Sequence, residues 1–248
     1  YLYAGITGSS NKVIVAGGTA TNTTFRAETS GSITIARGRW FAPNYRGVPQ
    51  APIELAGGFS TNFTVVDARI ELLISGGEHW SAAKSASGLG RQNQIVRQTG
   101  GISGFYASQG NENTNKVFAY VSGGTMYAWN ADHTRGLGLD LSGTGKFIML
   151  PSSQPQRVSS DGITHEVTIR DNGYMEVHGF RLLSRGTVSN CVATLNINDQ
   201  GVLAIRAGFE FGDTDPTNRI AININGGTIR QLPAALGISF PTSAYSAY

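Results

Sequence analysis

Apolar and polar residues alternate along most of this chain in short runs, which clusters of Gly, Asn, Asp, Ser and Thr separate. Alternation with a period of two is typical of β-strands that bury one face. The clearest runs in the first part of the chain are residues 12–16, 33–36, 63–74, 117–121 and 125–129. Helical patterns are confined to residues 80–86 and 233–236. The pattern therefore predicts an all-β protein.

The C-terminal part repeats one motif, in which a polar turn separates two short apolar runs. The first copy has its turn at Asp171-Asn172-Gly173. A three-residue turn with Gly173 in the left-handed conformation would place Ile169 opposite Met175. The motif recurs at nearly equal spacing around Asp199-Gln200-Gly201 and again around Asn225-Gly226-Gly227. We therefore expect three short antiparallel hairpins arranged as a degenerate repeat.

A further hairpin is predicted where Gly123-Gly124 separates residues 117–121 from residues 125–129. A two-residue turn there gives one face its aromatic side chains and the other face its aliphatic ones. The aromatic cross-strand pairs are then Phe118 with Trp129 and Tyr120 with Tyr127. Both faces of this hairpin are apolar, so we expect at least one of them to be covered.

The polar segment at residues 151–156 has a proline near each end and is the best candidate for a domain boundary. We expect a β-rich domain over residues 1–150 and a domain of three hairpins over residues 157–248. Isolated hairpins are marginal in water and expose unpaired edges. Intertwining in a homotrimer would cover them, and so would folding of the hairpins into β-sandwich-like domains.

Composition excludes several classes of protein. The chain has 248 residues, 33 of them glycine, with 40% hydrophobic and 14% charged residues. It has no apolar run of about 18 residues, which a membrane helix needs, so membrane insertion is not expected. The net charge is +3 without any run of like charges, which argues against a nucleic-acid partner. The chain begins at Tyr1, and we expect it to be part of a longer protein.

The sequence holds no established catalytic or cofactor motif, and neither a cofactor nor a metal is predicted. The four histidines are scattered without metal-ligand spacing: His79, His133, His165 and His178. Paired carboxylates are the remaining enzymatic possibility, because glycoside hydrolysis needs two of them. The candidates are Glu210, Asp213, Asp215, Asp132 and Asp140. Asp213 and Asp215 are also explained as turn residues before Pro216, and a non-enzymatic protein is preferred.

The best candidate for ligand recognition lies at the aromatic hairpin and the polar loop that follows it. Sugars stack on aromatic rings while planar polar side chains bind their hydroxyls. The predicted glycan-binding residues are Tyr120, Tyr127, Trp129, Asn130, Asp132, His133 and Arg135. The alternative is that these aromatic residues belong to the core or to a subunit interface. Residues 40–46 form a second aromatic segment with the same two interpretations.

A glycine-rich, lysine-poor β-sequence that ends in repeated hairpins resembles the distal part of a bacteriophage tail fibre or tailspike. Its firmest marks are Asp171-Asn172-Gly173, Asp199-Gln200-Gly201 and Asn225-Gly226-Gly227. The metal-binding His-x-His motif of some fibre tips is missing. The resemblance implies a homotrimer on the virion, outside the cell, that binds host lipopolysaccharide, another surface glycan or an outer-membrane protein. The alternatives are a polysaccharide-depolymerising tailspike fragment and a structural fibre or capsid component without a ligand.

Overall fold

The computed structural model describes residues 2–4, 12–27, 31–47, 51–65, 70–81, 94–106, 117–129, 137–149, 156–157, 165–182, 190, 192–211 and 217–233. These residues form a parallel β-solenoid with two sheets, and the chain passes through one sheet and then the other before it stacks on itself. Each such pass is called a rung. The all-β prediction is confirmed, and this part of the chain contains no helix that is long and apolar enough to cross a membrane.

Sheet I has ten strands: β2 (Lys12–Val15), β5 (Ser32–Ile35), β8 (Ile53–Leu55), β10 (Glu71–Ile74), β12 (Gln94–Gln98), β14 (Val117–Val121), β16 (Leu137–Leu141), β19 (His165–Ile169), β21 (Val192–Asn198) and β23 (Arg219–Asn225). Sheet II has fourteen: β1 (Leu2–Ala4), β3 (Thr19–Thr21), β4 (Thr24–Ala27), β6 (Arg39–Phe41), β7 (Asn44–Gly47), β9 (Phe59–Val65), β11 (Glu78–Ser81), β13 (Ile102–Tyr106), β15 (Thr125–Trp129), β17 (Lys146–Met149), β18 (Gln156–Arg157), β20 (Tyr174–Leu182), β22 (Val202–Phe211) and β24 (Thr228–Gln231).

The predicted antiparallel hairpins are wrong, because the strands that flank each turn belong to different sheets. Around residues 171–173, β19 lies in sheet I and β20 in sheet II. Ile169 therefore pairs in parallel with Ile197 of the next rung, and Met175 pairs with Leu203. The left-handed residue of this turn is Asp171, with φ of 56°, and not Gly173. The spacing of 28 residues between Asp171 and Asp199 is the length of one rung.

The same correction applies to the other predicted hairpins and to the sandwich-like domains. Strands β21 and β22, β23 and β24, and β14 and β15 each lie in different sheets. Strand β17 of the first predicted domain pairs with β20 of the second, so sheet II continues from one to the other. The proposed division into residues 1–150 and 157–248 stays a prediction. The helix predicted over residues 80–86 is wrong at Trp80 and Ser81, which end strand β11, and the rest of it lies outside the described residues.

Each chain encloses its own hydrophobic core between the two sheets. Alternate residues of sheet I point inwards and stack on their equivalents in neighbouring rungs. One such column is Val13, Ile33, Ile53, Leu72, Val96, Ala119, Leu139, Val167, Leu195 and Ile222. Most of its members are buried. A trimer is therefore not needed to cover the apolar faces of exposed hairpins, although the trimer itself stays a prediction.

Glycine forms one corner of the solenoid, where sheet I turns into sheet II. The carbonyl oxygen of each corner glycine accepts a hydrogen bond from the first residue of the following rung's sheet II strand, at 2.8–3.0 Å. These glycines are Gly18, Gly38, Gly58, Gly77, Gly101, Gly124, Gly145, Gly173 and Gly201. Rungs lie about 4.8 Å apart, so a side chain that points along the stack meets the backbone of the rung beside it. The corner therefore accounts for nine of the chain's 33 glycines.

Candidate functional site

A groove of about 190 Å³ lies on the outward face of sheet I, across strands β14, β16 and β19. The residues that line it are Phe118, Ala119, Tyr120, Leu139, Asp140, Glu166 and Thr168, of which Ala119 and Leu139 are buried. Pockets for drug-sized ligands usually have about 300–1,000 Å³, so this groove has room for a small ring and not for a large ligand. Aromatic side chains come from β14, and the polar ones come from β16 and β19.

The aromatic side of the groove follows from strand alternation and from one glycine. Phe118 and Tyr120 are two residues apart on β14 and therefore share the outward face. Their rings are stacked, with centroids 6.4 Å apart and planes at 23°. Phe118 lies over Gly138 of the neighbouring strand, and a Cβ there would come within 2.6 Å of the ring. Gly138 thus leaves the space that the phenyl ring occupies beside the groove.

Arg97 fixes the second aromatic ring from the side away from the groove. Its guanidinium carbon lies 4.4 Å from the centroid of the Tyr120 ring, which is the geometry of a cation–π contact. The same arginine donates from Nε to Glu71 at 2.7 Å. Glu71, Arg97 and Tyr120 therefore form a chain of contacts along the outer face of sheet I, which orients the tyrosine ring.

Asp140 is held by a forked ion pair on the polar side of the groove. Arg170 donates from Nε to Oδ1 at 3.1 Å and from Nη2 to Oδ2 at 3.3 Å. The hydrogen bond and charge of Asp140 raise the pKa of the Arg170 guanidinium further above its already high ordinary value. Arg170 is therefore a permanent cation that keeps Asp140 in a fixed orientation.

Glu166 is held by neutral donors. Its Oε1 accepts a hydrogen bond from Thr168 at 3.1 Å and another from the Asn196 amide at 2.6 Å. Asn196 in turn accepts from Asn223 of the next rung at 2.8 Å. These contacts form a ladder of polar side chains along the outer face, and the ladder ends at the groove with a carboxylate.

Of the predicted glycan-binding residues that the structure describes, Tyr120 alone lines the groove. Tyr127 lies on the other sheet, where its ring stacks on Trp80 with centroids 5.7 Å apart. The backbone of Trp129 pairs with Tyr106 on sheet II. The four remaining candidates lie outside the described residues: Asn130, Asp132, His133 and Arg135. The predicted single aromatic face is therefore divided between the two sheets.

The acidic candidates and the histidines also lie in different parts of the structure and do not form one site. Asp140 lines the groove, and Glu210 is near the end of β22. Asp132, Asp213 and Asp215 lie outside the described residues. His79 is buried in the core, whereas His178 is half-buried on β20. Among the residues that the structure describes, no group of three or more His, Cys, Asp or Glu side chains is placed to hold a metal ion.

The second aromatic segment, residues 40–46, places two of its three aromatic side chains in the interior. Trp40 and Tyr45 are buried, and the Tyr45 ring packs between Phe25 and Phe63. Phe41 points outwards and is 37% exposed, close to the 36% of Phe118. The interpretation as core residues therefore holds for Trp40 and Tyr45, and Phe41 is an exposed aromatic residue away from the groove.

Sequence reasoning named Asp140 as a candidate acid but missed Glu166 and Thr168, the other polar side chains of the groove, although the sequence carries a signal for them. The separation of Asp140 from Thr168 equals that of the repeated turn residues Asp171 and Asp199, which are 28 residues apart. In the structure Asp140 pairs with Thr168 in adjacent strands, and Glu166 is two residues earlier on the same face. Reading this separation as a rung length would have brought the polar side chains together.

The described residues thus define a parallel β-solenoid with a lateral groove that combines aromatic rings with carboxylates. Comparison of the chain with protein-family models, curated proteins and solved structures found no match.

Proposed function

We propose that this protein is the receptor-binding part of a bacteriophage tail fibre, and that it attaches the virus particle to a glycan or lipopolysaccharide on the host surface. The groove on sheet I is the observation that supports this proposal. Phe118 and Tyr120 offer ring faces and edges to the C–H groups of a sugar. Asp140, Glu166 and Thr168 offer oxygens that bind its hydroxyls. The volume of about 190 Å³ suits one sugar ring.

The solenoid itself is suited to a fibre. Its rungs stack in one direction, and the backbone groups of every inner strand pair with the strands on both sides, so the fold extends without exposing strand edges along its length. In a fibre with several copies of the chain, each copy would carry one groove, and several weak sites multiply avidity for a ligand with repeated units. In this proposal the protein is a virion component that acts outside the cell.

Replacing Phe118 with alanine is expected to weaken glycan binding at least tenfold. The variant loses the contact between the phenyl ring and the sugar, and a loss of about 1.4 kcal/mol weakens binding tenfold. The measurement is binding of the purified protein to a printed array of bacterial surface polysaccharides, followed by titration of the glycans that bind. Phe41→Ala is the matched control, because Phe41 has nearly the same exposure as Phe118 and lies on the other sheet.

Two results would contradict the groove as a receptor site. One is a wild-type protein that binds no glycan on the array, which would also favour a structural component without a ligand. The other is a Phe118→Ala variant that binds as tightly as the wild type. Circular dichroism and a thermal melt of both variants show whether any loss comes from unfolding.

A polysaccharide depolymerase is the second candidate, because two carboxylates line the same groove. Glycoside hydrolysis uses one carboxyl group to protonate the leaving oxygen and a second carboxylate to act as base or nucleophile. Asp140 and Glu166 are the pair that the groove offers. Release of oligosaccharide from a bound polysaccharide, abolished by Asp140→Asn, would favour hydrolysis over simple attachment.

The homotrimer remains part of the proposal through the resemblance to tail fibres. Light scattering tests it directly, since a trimer has about three times the chain mass of 26.2 kDa. A monomer in solution would remove the trimer and leave the groove proposal unchanged, because all the groove side chains come from one chain.

A further inference from the structure

The charges around the groove on sheet I decide which class of glycan it accepts. Two carboxylates line it, and they differ in their partners. Asp140 is paired with Arg170 through two hydrogen bonds, so its charge is compensated locally. Arg170 is also 3.4 Å from Asp171, which means that this guanidinium already serves two carboxylates. The positive charge of Arg170 is therefore largely compensated and attracts an anionic ligand only weakly.

Arg97, which contacts the Tyr120 ring, is also engaged. It pairs with Glu71 at 2.7 Å and lies over the ring, on the side away from the groove. An anionic ligand in the groove would have to take this guanidinium from both partners. Among the described residues, Arg97 and Arg170 are therefore both engaged, and neither is placed to receive a carboxylate, sulfate or phosphate group.

Glu166 carries the charge that these arginines leave uncompensated. Its hydrogen-bond donors, Thr168 and Asn196, are both neutral. Within the described ranges, no lysine or arginine forms an ion pair with it. Both of these donors reach Oε1, so its second oxygen accepts from neither, and the Glu166 side chain is exposed on the outer face. A sugar hydroxyl donates well to such a carboxylate, whereas an anionic group at the same distance is repelled.

We infer that the groove selects neutral, hydroxyl-rich sugars and rejects glycans that carry uronic acid, sulfate or phosphate groups at the bound unit. This inference rests on the proposed function, because it assigns the ligand class of the same groove. On lipopolysaccharide, it directs binding to neutral sugars of the polysaccharide and away from phosphorylated ones. Glu166 is the residue that determines this specificity.

The test compares wild type, Glu166→Gln and Glu166→Lys on one array that contains neutral and acidic bacterial glycans. Wild type is expected to bind neutral glycans at least tenfold more tightly than acidic glycans of related backbone. Glu166→Gln should reduce this ratio at least fivefold, and Glu166→Lys should reduce it further. Raising the salt concentration should weaken the discrimination in the wild type, because salt screens exposed charges.

Glu54→Gln is the matched control. Glu54 lies on the outer face of the same sheet and also accepts from neutral donors, Thr34 at 3.1 Å and Ser75 at 2.9 Å, but it is outside the groove. This variant should keep the wild-type ratio. Equal binding of acidic and neutral glycans by the wild type would overturn the inference and leave glycan binding intact. Binding of no glycan at all would overturn the proposed function, and the inference with it.

Discussion

Replacing Gly124 with alanine is expected to lower the free energy of unfolding by at least about 3 kcal/mol, because two costs coincide at this corner. Gly124 has φ of +72°, where an L-residue is strained. An added Cβ would also lie 2.4 Å from the carbonyl oxygen of Gly101 in the neighbouring rung. Backbone atoms on both sides hold the rung in place, so the clash is not relieved by a side-chain movement.

Alanine variants at three other glycines distinguish the cost of backbone strain from the cost of the Cβ clash. Gly123 would place a Cβ 2.3 Å from the Thr99 carbonyl oxygen but is not left-handed, so its alanine variant tests the clash alone. Gly208 has φ of +109° with no atom within 4 Å of an added Cβ, so its variant tests the strain alone. Gly17 has neither feature and is the control. We expect losses of about 2, 1 and less than 0.5 kcal/mol respectively.

Chemical denaturation of the four variants, followed by circular dichroism, measures these differences. The order of stability should be Gly17→Ala, Gly208→Ala, Gly123→Ala and Gly124→Ala, from most to least stable. If Gly124→Ala unfolds at the same denaturant concentration as Gly17→Ala, the close stacking of rungs at this corner is wrong.

The positions of some strands were predictable from alternation, but their partners were not. The single run predicted over residues 63–74 covers the end of β9 and all of β10, which lie in different sheets. Residues 117–121 and 125–129 were predicted as strands, and they are β14 and β15. A tight turn with apolar residues on both sides is compatible with a hairpin and equally with a corner between two sheets. In the hairpin the second strand returns beside the first; in the corner it faces the first across the core. Local sequence does not distinguish these two outcomes.

Long-range spacing is the information that does distinguish them. In the first part of the chain one rung takes 20 residues, the separation of the hydrogen-bonded pair Thr34 and Glu54. The corner glycines Gly18, Gly38 and Gly58 recur with this period, because each rung must place its corner above the corner before it. Near the C-terminus one rung takes 28 residues, as between Asp171 and Asp199. This change in rung length hides the repeat from a search for one fixed period.

Local sequence was also insufficient to identify all the residues of the groove. Tyr120 was identified because aromatic residues near polar ones suggest sugar binding. Glu166 was not, since it is distant from Tyr120 in the sequence and becomes its neighbour only through the stacking of β14, β16 and β19. Gly138 had no sequence signal of its own, because its role is the space that it leaves for the Phe118 ring.

Acidification is expected to destabilise the protein through His79, which lies in the core with no exposed surface. Burial lowers the pKa of its imidazole from 6.5 to about 4, and the hydrogen bond to the Gly76 carbonyl opposes this shift. The neutral ring fits its surroundings. Nε2 donates to the Gly76 carbonyl at 3.0 Å, which leaves Nδ1 to accept from the Ser60 hydroxyl at 2.9 Å.

The direction of the effect follows from proton binding in the two states. Between pH 6.5 and about 4 the unfolded chain binds a proton at His79 and the folded chain does not, so acid favours unfolding. The contribution of neutral His79 to stability is complete above pH 6.5 and is lost as the pH falls through this range. A shift of this size corresponds to about 3 kcal/mol. Denaturation curves at half-unit steps from pH 7.5 to 4 measure it.

His79→Gln separates this contribution from that of carboxylates that titrate in the same range. Glutamine retains one acceptor for Ser60 and one donor for Gly76 but carries no titrating group. Its free energy of unfolding should be lower than that of the wild type at pH 7.5 and fall less steeply between pH 6.5 and 4. His178→Gln, at a half-buried position on β20, is the matched control for replacing a histidine with glutamine. If the His79→Gln curve falls as steeply as the wild-type curve, the buried imidazole does not govern acid stability, and the packing of Ser60, Gly76 and His79 inside the solenoid would be wrong.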